Sequence, residues 1–447
     1  MGIRRLSGPR LGTLRPLATA TLCIAAAACS SGSDKGTAGS DDSGAIDDAS
    51  GLVGPGDATV SDAASADATV AEDASDAGTA DAAPEAAVDA DVTGCATDLA
   101  GEPTELRCTG LYADWNTRTI ASNVTEYDPG LHLWSDGAAK TRWIYLPPGT
   151  TIDTSDMDEW TFPAGTKFWK QFIVDGVLIE TRMLHKVPAA PDAGEYVGAW
   201  YLTTYQWSAD GTATSELTTG ALNVNDAGYE IPSQAKCTQC HGGRLDDVLG
   251  FEAVSLSSPD AGGLPMSTLI ARSLITDPPE APLTVPGDPT QAAALGYLHA
   301  NCGVPCHNTG GGIANITGFH MRLLAGELLS DGGVQGTDTY QTGWGVPTTG
   351  FHADGVIDRL TACDAPQSCV YIRMGHRDPF SDAGYDILNP PIQMPPIDTH
   401  IVDPTGMAVV AAWINEGCDA SVPLDASFGA PDAAADAGPL DAAPPSD

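Results

Sequence analysis

The chain has 447 residues, of which 59 are acidic and 20 are Lys or Arg, so its formal net charge is −39. This charge argues against nucleic acid as a partner, because phosphate backbones are bound by basic surfaces. The length allows two or three domains with cores of their own once the polar flanks are set aside.

The N-terminus has the pattern of a secretory signal peptide, which we predict over residues 1–28. Four arginines come before a short apolar run at 17–28, which is too short to span a bilayer. Cys29 follows a run of alanines and precedes a polar stretch, as in the lipobox of bacterial lipoproteins. Ordinary cleavage with an unmodified Cys29 is the alternative. We favour lipidation, which would anchor the exported protein to a membrane, in the periplasm, at the outer membrane or at the cell surface.

Two flanks have a composition that cannot form a core. Residues 29–92 and 421–447 are rich in small and acidic residues, and the first of them contains no aromatic residue. Such segments bury too little apolar surface to offset the conformational entropy of an ordered chain. We predict that both are disordered and that the folded body lies between them. No further apolar run reaches membrane-spanning length, so this body is expected to be soluble.

The chain has 11 cysteines, nine of them beyond the lipobox. Export places these nine in an oxidising compartment, where unused thiols tend to pair. Two short-range disulfides are plausible, Cys95–Cys108 and Cys363–Cys369. Cys418 then has no partner, unless it forms a disulfide with one of these four cysteines instead. The other four cysteines stand in two motifs with a different chemistry.

Residues 93–232 have the pattern of β-strands. Asp175-Gly176 separates two apolar-rich runs, which is the strongest short-range signal of a β-hairpin. The predicted strands cover residues 143–146, 167–174, 177–184 and 199–207. The region therefore predicts an antiparallel β-sandwich or barrel-like domain. The acidic residues between its first two strands are expected to lie in a solvated loop; they are Asp153, Asp156, Asp158 and Glu159.

From residue 233 onward the pattern changes to short helices separated by Gly and Pro. Asp288-Pro289 supplies an N-cap and a first-turn proline to a helix predicted over 290–301. Asp403-Pro404 opens a second helix, which has apolar residues on one face and ends near Gly417.

Cys237-Thr238-Gln239-Cys240-His241 is a CxxCH motif, the attachment sequence of c-type haem. The spacing suits this chemistry because two thiols must reach two vinyl groups of a porphyrin while the adjacent imidazole binds the iron. Half of a zinc site and a redox-active dithiol are the alternatives. No second CxxC lies at zinc-ribbon spacing and no βαβ pattern surrounds the motif. We therefore predict haem c bound by Cys237, Cys240 and His241.

Cys302-Gly303-Val304-Pro305-Cys306-His307 is a CxxxCH motif, one residue longer than the first. A longer spacer can bulge without displacing the histidine, and the motif directly follows the helix predicted over 290–301. The alternative is a disulfide between Cys302 and Cys306, with His307 at the surface. We predict a second haem c held by Cys302, Cys306 and His307.

Met394 stands before two prolines, between the second motif and the last predicted helix. Methionine is a common distal ligand of a histidine-bound haem, and prolines restrict the loop that must hold it. The alternative is a methionine that fills a gap in the core. We predict Met394 as the distal ligand of the second haem. For the first haem, the distal position on the iron is either open or occupied by one of four further candidate ligands: Met183, Met266, His132 and His185.

These motifs belong to an ordered set of short matches that resembles a family of exported bacterial dihaem c-type cytochromes. The set consists of Phe162–Phe168, Glu180–Arg182, Ile231–Ser233, Cys237–His241, Leu249–Phe251, Tyr297–Leu298, Asn301–Cys302, Met394–Pro396 and Trp413–Ile414. The resemblance implies a β-rich N-terminal part fused to helical haem-binding segments. The chain departs from the family's pattern in its CxxxCH motif.

The predicted fold class is α+β. It comprises a β-rich domain at 93–232, a first haem-binding segment at 233–285 and a mainly helical, cytochrome c-like domain at 286–420.

The predicted function is electron transfer at the cell envelope by one or two covalent haems, with a redox partner protein that the sequence does not identify. One alternative is a dihaem oxidoreductase or peroxidase, in which a haem without a distal ligand reacts while the other supplies electrons. The other alternative is a surface lipoprotein without haem, which binds through its β-rich region and uses its cysteines for disulfides or a metal.

Overall fold

A computed structural model gives the structure of residues 94–187, 200–224, 228–348, 355–377 and 392–416. All of these described residues belong to one compact unit. The predicted signal peptide, Cys29, both flanks predicted to be disordered, and Cys418 lie outside them.

Antiparallel strands form the N-terminal part of the described chain. Their bounds are β1 Tyr112–Asp114, β2 Thr119–Ile120, β3 Thr125–Tyr127, β4 Ala139–Tyr145, β5 Lys167–Val174, β6 Val177–Lys186, β7 Trp200–Trp207, β8 Thr214–Glu216, β9 Ala221–Val224 and β10 Tyr229–Ile231. Strands β3 to β8 make one six-stranded sheet in sequence order, while β1 pairs with β2 and β9 with β10. Within the described residues this sheet is open, because β3 and β8 each pair with one neighbour, and two short ribbons accompany it instead of a second large sheet.

The predicted hairpin is confirmed between β5 and β6. Asp175 and Gly176 have positive φ angles of 50° and 78°, which a two-residue type I′ turn requires. Strand β5 has the predicted bounds, whereas β6 continues two residues beyond the predicted end at 184. The extension is stabilised by Lys186, whose buried amine pairs with Asp246 at 2.7 Å.

Short helices make up the rest of the described chain. Their bounds are α1 Cys237–His241, α2 Ala253–Ser257, α3 Met266–Ala271, α4 Pro289–Leu298, α5 Ala325–Leu328, α6 Asp338–Gly343, α7 Cys369–Gly375 and α8 Pro404–Glu416. Single 3₁₀ turns occur at Leu106–Cys108, Gln234–Lys236, Asn315–Thr317, Val334–Gly336 and Ala365–Gln367, and a π-helical turn covers His299–Gly303. No helix in the described ranges is both long enough and apolar enough to cross a membrane.

The helix predicted over 290–301 begins as expected and ends differently. Asp288 caps α4 by accepting hydrogen bonds from the N–H groups of Thr290 and Gln291, which satisfies donors that the first helical turn leaves unpaired. The α-helical part ends at Leu298, because the chain continues as a π-helical turn that includes Cys302. The second motif therefore starts inside the helix instead of after it.

Helices α4 and α8 pack directly against each other. At Gly406 of α8 a methyl group would lie 2.2 Å from the ring of Tyr297 on α4, so the helices approach as closely as they do because this residue has no side chain. Val410, Trp413 and Ile414 of α8 are buried in the same core. The predicted end of α8 near Gly417 lies just beyond the described residues.

The two faces of the six-stranded sheet have different neighbours. On one face, Trp169 and Met183 pack with Leu106 and Tyr112 of the N-terminal segment. On the other face, Phe168 packs against Phe251, which precedes α2. This second face therefore looks toward the part of the chain that carries both cysteine motifs.

One of the two predicted disulfides is present. Cys95 and Cys108 are bonded, whereas Cys363 and Cys369 are not. Cys369 is buried at the start of α7, while Cys363 is exposed and donates its N–H to the carbonyl oxygen of Ile414. The prediction of a Cys363–Cys369 bond was wrong, because these contacts hold the two residues in different environments.

Candidate functional site

One cavity brings together the two cysteine motifs and the predicted methionine ligand. It contains about 1540 Å³ of space not filled by protein atoms, part of which is open to solvent. Its wall includes every residue predicted to hold haem: Cys237, Cys240, His241, Cys302, Cys306, His307 and Met394. The rest of the wall comes largely from apolar residues of the sheet and of the helical part.

The first motif forms the single helical turn α1. Cys237 and Cys240 are three residues apart and therefore lie on the same side of this turn, and neither is in a disulfide. His241 donates its Nδ1–H to the carbonyl oxygen of Asp247 at 2.6 Å. Because a carbonyl oxygen only accepts, Nδ1 carries the proton and Nε2 keeps the lone pair that a metal needs.

The extra residue of the second motif is accommodated by the π-helical turn. The N–H of His307 donates to the carbonyl oxygen of Cys302 at 2.8 Å, five residues back, whereas an α-helix joins residues four apart. Cys302 and Cys306 are four residues apart and again lie on one side of the turn. They are not joined to each other, so the structure does not contain the disulfide considered as the alternative.

His307 repeats the arrangement of His241. It is buried, and it donates its Nδ1–H to the carbonyl oxygen of Phe319 at 3.0 Å, which leaves the lone pair on Nε2. Burial lowers the pKa of both imidazoles to about 4. Both rings are therefore neutral at pH 7, which is the form that binds a metal ion.

Burial keeps the four motif thiols protonated. It raises the pKa of Cys302 and of Cys306 to about 12, and it raises the pKa of Cys237 and of Cys240 as well. A nucleophilic cysteine needs the opposite shift. In the part of the chain that the structure describes, no three His, Cys, Asp or Glu side chains are placed to share one metal ion. Haem iron, by contrast, takes only one or two axial side chains.

Met394 lies on a loop that is fixed by its own hydrogen bonds. The N–H of Met394 donates to the carbonyl oxygen of Arg373 at 2.8 Å. The side chain of Gln393 donates to the carbonyl oxygens of Pro395 and Thr399, both at 3.1 Å. These bonds hold the methionine at the cavity wall, as a distal ligand requires.

Of the four further candidates for the first haem, Met183 borders the cavity, but its side chain is buried on the opposite face of the sheet with Leu106 and Tyr112. His185 pairs with Glu102 at 2.9 Å, and His132 is an exposed residue paired with a neighbouring aspartate. Met266, the first residue of α3, is buried in the core. The sequence did not indicate Met321 and Met374, which also line the cavity. No local signal separates them from methionines that only fill a core.

The described wall of the cavity is basic although the chain is acidic. Five basic and two acidic residues line it: Lys170, Arg182, Lys236, Arg359 and Arg373, with Glu230 and Asp398. In the whole chain Lys and Arg are outnumbered by Asp and Glu, 20 to 59. Burial raises the pKa of Asp398 to about 7 and lowers the pKa of Lys170, so both charges are weakened and the wall keeps an excess of basic residues. Such a wall suits an anionic ligand, and each haem carries two propionate groups.

Cations are also placed side by side on the sheet face that reaches the cavity. Lys170 of β5 lies opposite Arg142 of β4 and opposite Arg182 of β6. Like charges in directly opposite positions destabilise a sheet. Arg182 is compensated by the buried carboxylate of Glu180 at 2.7 Å, whereas no described ion pair joins a carboxylate to Lys170. Burial and the neighbouring cations lower the pKa of Lys170 well below its ordinary value.

Two of the acidic residues expected in a solvated loop are partners of the motif loops instead. The carbonyl oxygen of Asp158 accepts from Nη2 of Arg244 at 2.8 Å. The carboxylate of Glu159 accepts from the N–H of Leu245 at 3.1 Å and from Nη1 of Arg322. The sequence carried no signal for these contacts, because each joins residues more than 80 positions apart.

Comparisons with protein-family models, with curated proteins and with solved structures found no match for the chain. The resemblance to dihaem c-type cytochromes therefore stays an expectation from the sequence.

Proposed function

We propose that the protein is an exported dihaem c-type cytochrome that transfers electrons at the cell envelope. The observation that carries this proposal is the repeated arrangement of two motifs in one cavity. In each, two unbonded cysteines precede a histidine that donates Nδ1–H to a main-chain carbonyl. Haem held there would supply reversible exchange of one electron per iron between the ferric and ferrous states.

The motif thiols are in the form that covalent attachment needs. In this reaction a thiol adds across a vinyl group, so that a sulfur–carbon bond forms and the hydrogen goes to the other vinyl carbon. The addition consumes no oxidant. Each cysteine pair lies on one side of a helical turn, which suits the two vinyl groups that the porphyrin presents to it.

The other parts of the cavity have roles that fit haem. The hydrogen bonds from Nδ1 orient His241 and His307 and increase the basicity of their Nε2 atoms. Apolar residues keep water away, and the basic residues of the wall can pair with propionates. Met394 is proposed as the distal ligand of the second haem, where a thioether stabilises ferrous iron and raises the potential.

The C-terminal part of the fold supports the same proposal. Helix α4 leads into the second motif, the Met394 loop follows later in the chain, and α8 closes this part by packing on α4. This order agrees with the cytochrome c-like domain expected at 286–420. We therefore place the second haem between the π-helical turn and the Met394 loop.

The test is the number of covalent haems. The protein is expressed in a host with c-type cytochrome maturation, and haem is counted by a pyridine haemochrome assay and by intact mass. We expect two haems in the wild type and one in each double variant, Cys237→Ser/Cys240→Ser and Cys302→Ser/Cys306→Ser. Cys363→Ser is the matched control, because this exposed thiol does not line the cavity, and it should retain two haems.

Two results would change the conclusion. Colourless wild-type protein with four unmodified motif thiols would reject haem and favour the binding lipoprotein without haem. Two haems together with peroxide turnover and with carbon monoxide binding to the ferrous protein would favour the dihaem oxidoreductase or peroxidase, because that chemistry needs an open distal position on iron.

A further inference from the structure

The loops that carry the two motifs touch each other through glycines. A methyl group at Gly243, two residues after the first motif, would lie 2.7 Å from the carbonyl oxygen of Pro305 inside the second motif. It would also lie 3.2 Å from Cα of Gly312. Because real Cβ atoms do not approach other atoms as closely as 2.7 Å, the loops can be this close only while residue 243 has no side chain.

The second loop is shaped for this contact by Asn308. Its side-chain amide donates to the carbonyl oxygens of Gly303 and Val304 at 2.9 and 3.1 Å. Its side-chain oxygen accepts from the N–H groups of Gly310 and Gly312 at 2.9 and 3.2 Å. The four bonds fold the glycine-rich segment back over the motif, on the side that faces Gly243.

Glu159 also stabilises the contact between the two motif loops. Its carboxylate accepts from the N–H of Leu245, which belongs to the first loop. The same carboxylate pairs with Arg322, which lies beyond the second motif. Arg244 and Arg322 both donate to the carbonyl oxygen of Asp158, one residue before. The segment at 158–159 thus bridges the two haem-attachment regions.

We propose that the chain holds its two attachment loops in contact so that the two bound haems form one electronically coupled pair. This inference rests on the proposed function. Cys240 and Cys306 line the same cavity, and they lie three residues and one residue along the chain from the contact between Gly243 and Pro305. Each is one of the two sulfurs that would carry a porphyrin, so two porphyrins attached there would lie close together. With haem bound at both motifs, a single electron would exchange between the two irons in the half-reduced protein, and the oxidation state of one iron would change the potential of the other.

The test compares the holoprotein with its two single-haem variants. The electron paramagnetic resonance spectrum of the oxidised wild type is compared with the sum of the spectra of two single-haem variants. These variants are Cys237→Ser/Cys240→Ser and Cys302→Ser/Cys306→Ser. We expect the wild-type signals to be broadened, and to require several-fold higher microwave power for half-saturation. A redox titration of the wild type should likewise depart from the sum of the two single-haem titrations.

Gly243→Ala tests the loop contact itself. The added methyl group should push the loops apart and bring the wild-type spectrum toward the sum of the single-haem spectra, while two haems stay attached. Gly326→Ala is the matched control, because a methyl group there meets no atom within 4 Å, and it should behave as the wild type.

The outcomes separate this inference from the proposed function. A wild type with two covalent haems and with a spectrum and titration equal to the single-haem sums would overturn the coupled pair and leave the cytochrome in place. A wild type with one haem would also overturn it. Absence of covalent haem would remove the proposed function. The comparison of the wild type with the single-haem variants tests whether the haems are coupled even if Gly243→Ala does not fold.

Discussion

The two motif histidines differ from other histidines of the described chain in their hydrogen bonds. His132, His185, His299 and His400 each pair with a carboxylate. Such a partner accepts a proton from the ring or stabilises its charged form. His241 and His307 bind main-chain carbonyls instead, which fixes the tautomer without adding a charge. At the residue scale this feature supports the proposal that His241 and His307 are iron ligands.

Met394 is the residue for which the ligand proposal makes the clearest prediction. Met394→Leu should lower the midpoint potential of one haem by about 0.1 V or more, since axial ligands tune haem potentials over a range of about 0.8 V. The absorption band specific to thioether-ligated ferric haem should also disappear. Met374→Leu and Met321→Leu, which change other methionines of the same wall, should leave both quantities nearly unchanged. Unaltered absorption and potential in Met394→Leu would end this assignment.

Glu327 gives a prediction about pH. Burial raises the pKa of this carboxyl group to about 7 from its ordinary value of 4.5. Between pH 4.5 and 7 the folded state therefore binds more protons than the unfolded state, so this group makes stability fall as pH rises. Glu327→Gln removes the effect and should increase the free energy of unfolding at pH 8, relative to pH 5, by about 1 kcal/mol after allowance for partial exposure.

Urea unfolding of wild type and Glu327→Gln at both pH values measures this difference. Glu126→Gln, which changes an exposed carboxylate on β3, is the control. A Glu327→Gln variant whose advantage shrinks as pH rises would contradict the assignment.

At the element scale, the second motif shows how a helix can absorb an insertion. The π-helical turn widens the backbone hydrogen bond from four to five residues, as the bond from His307 to Cys302 shows. Three residues between the cysteines thus still leave both thiols on one side of the turn. The CxxxCH spacing is accommodated locally, and His307 keeps the same kind of carbonyl partner as His241.

The crossing of α4 and α8 leads to a prediction about stability. Gly406→Ala places a methyl group 2.2 Å from the Tyr297 ring, so the two helices must separate. We expect a loss of about 1–3 kcal/mol in the free energy of unfolding, the usual cost of overpacking a core. Because α4 leads into the second motif, we also expect less complete attachment of the haem proposed at Cys302 and Cys306.

Denaturant unfolding and haem counting measure both effects of Gly406→Ala. Gly326→Ala is a suitable control, since this exposed glycine of α5 has open space around it. Alanine there should be neutral or stabilising by up to about 1 kcal/mol. Equal stability of Gly406→Ala and the wild type would contradict the close helix crossing.

At the scale of the whole molecule, attachment to a membrane is predicted from Cys29, which lies outside the described residues. Cys29→Ala should move the exported protein from the membrane fraction to the soluble fraction, because the acyl chains would be lost. Ser31→Ala, two residues away, should leave the distribution unchanged. Cell fractionation with intact-mass analysis measures both, and an unmodified mature N-terminus in the wild type would remove the anchor.

The sequence by itself determined the features that depend on neighbouring residues. The turn at Asp175-Gly176 and the cap at Asp288 follow from the conformations and hydrogen bonds that these residues favour locally, and the Cys95–Cys108 bond closes a short loop. The two cysteine motifs could also be recognised from the sequence, because the cysteines and the histidine of each motif are nearly adjacent in the chain. Three features could not be predicted from the sequence, because each depends on residues far away in the chain. They are the extent of β6, the absence of a disulfide at Cys363 and the role of Glu159.

Only the tertiary structure decided that both motifs and Met394 share one cavity, that its wall is basic, and that the two motif loops touch. Met394 lies 153 residues after His241 and 87 after His307, and no local pattern encodes distances between such segments. They are set by burial of the sheet face, by the packing of α8 on α4 and by the bridge at 158–159. The physical reason is that a motif fixes which atoms can react, whereas packing of the whole chain fixes what those atoms face.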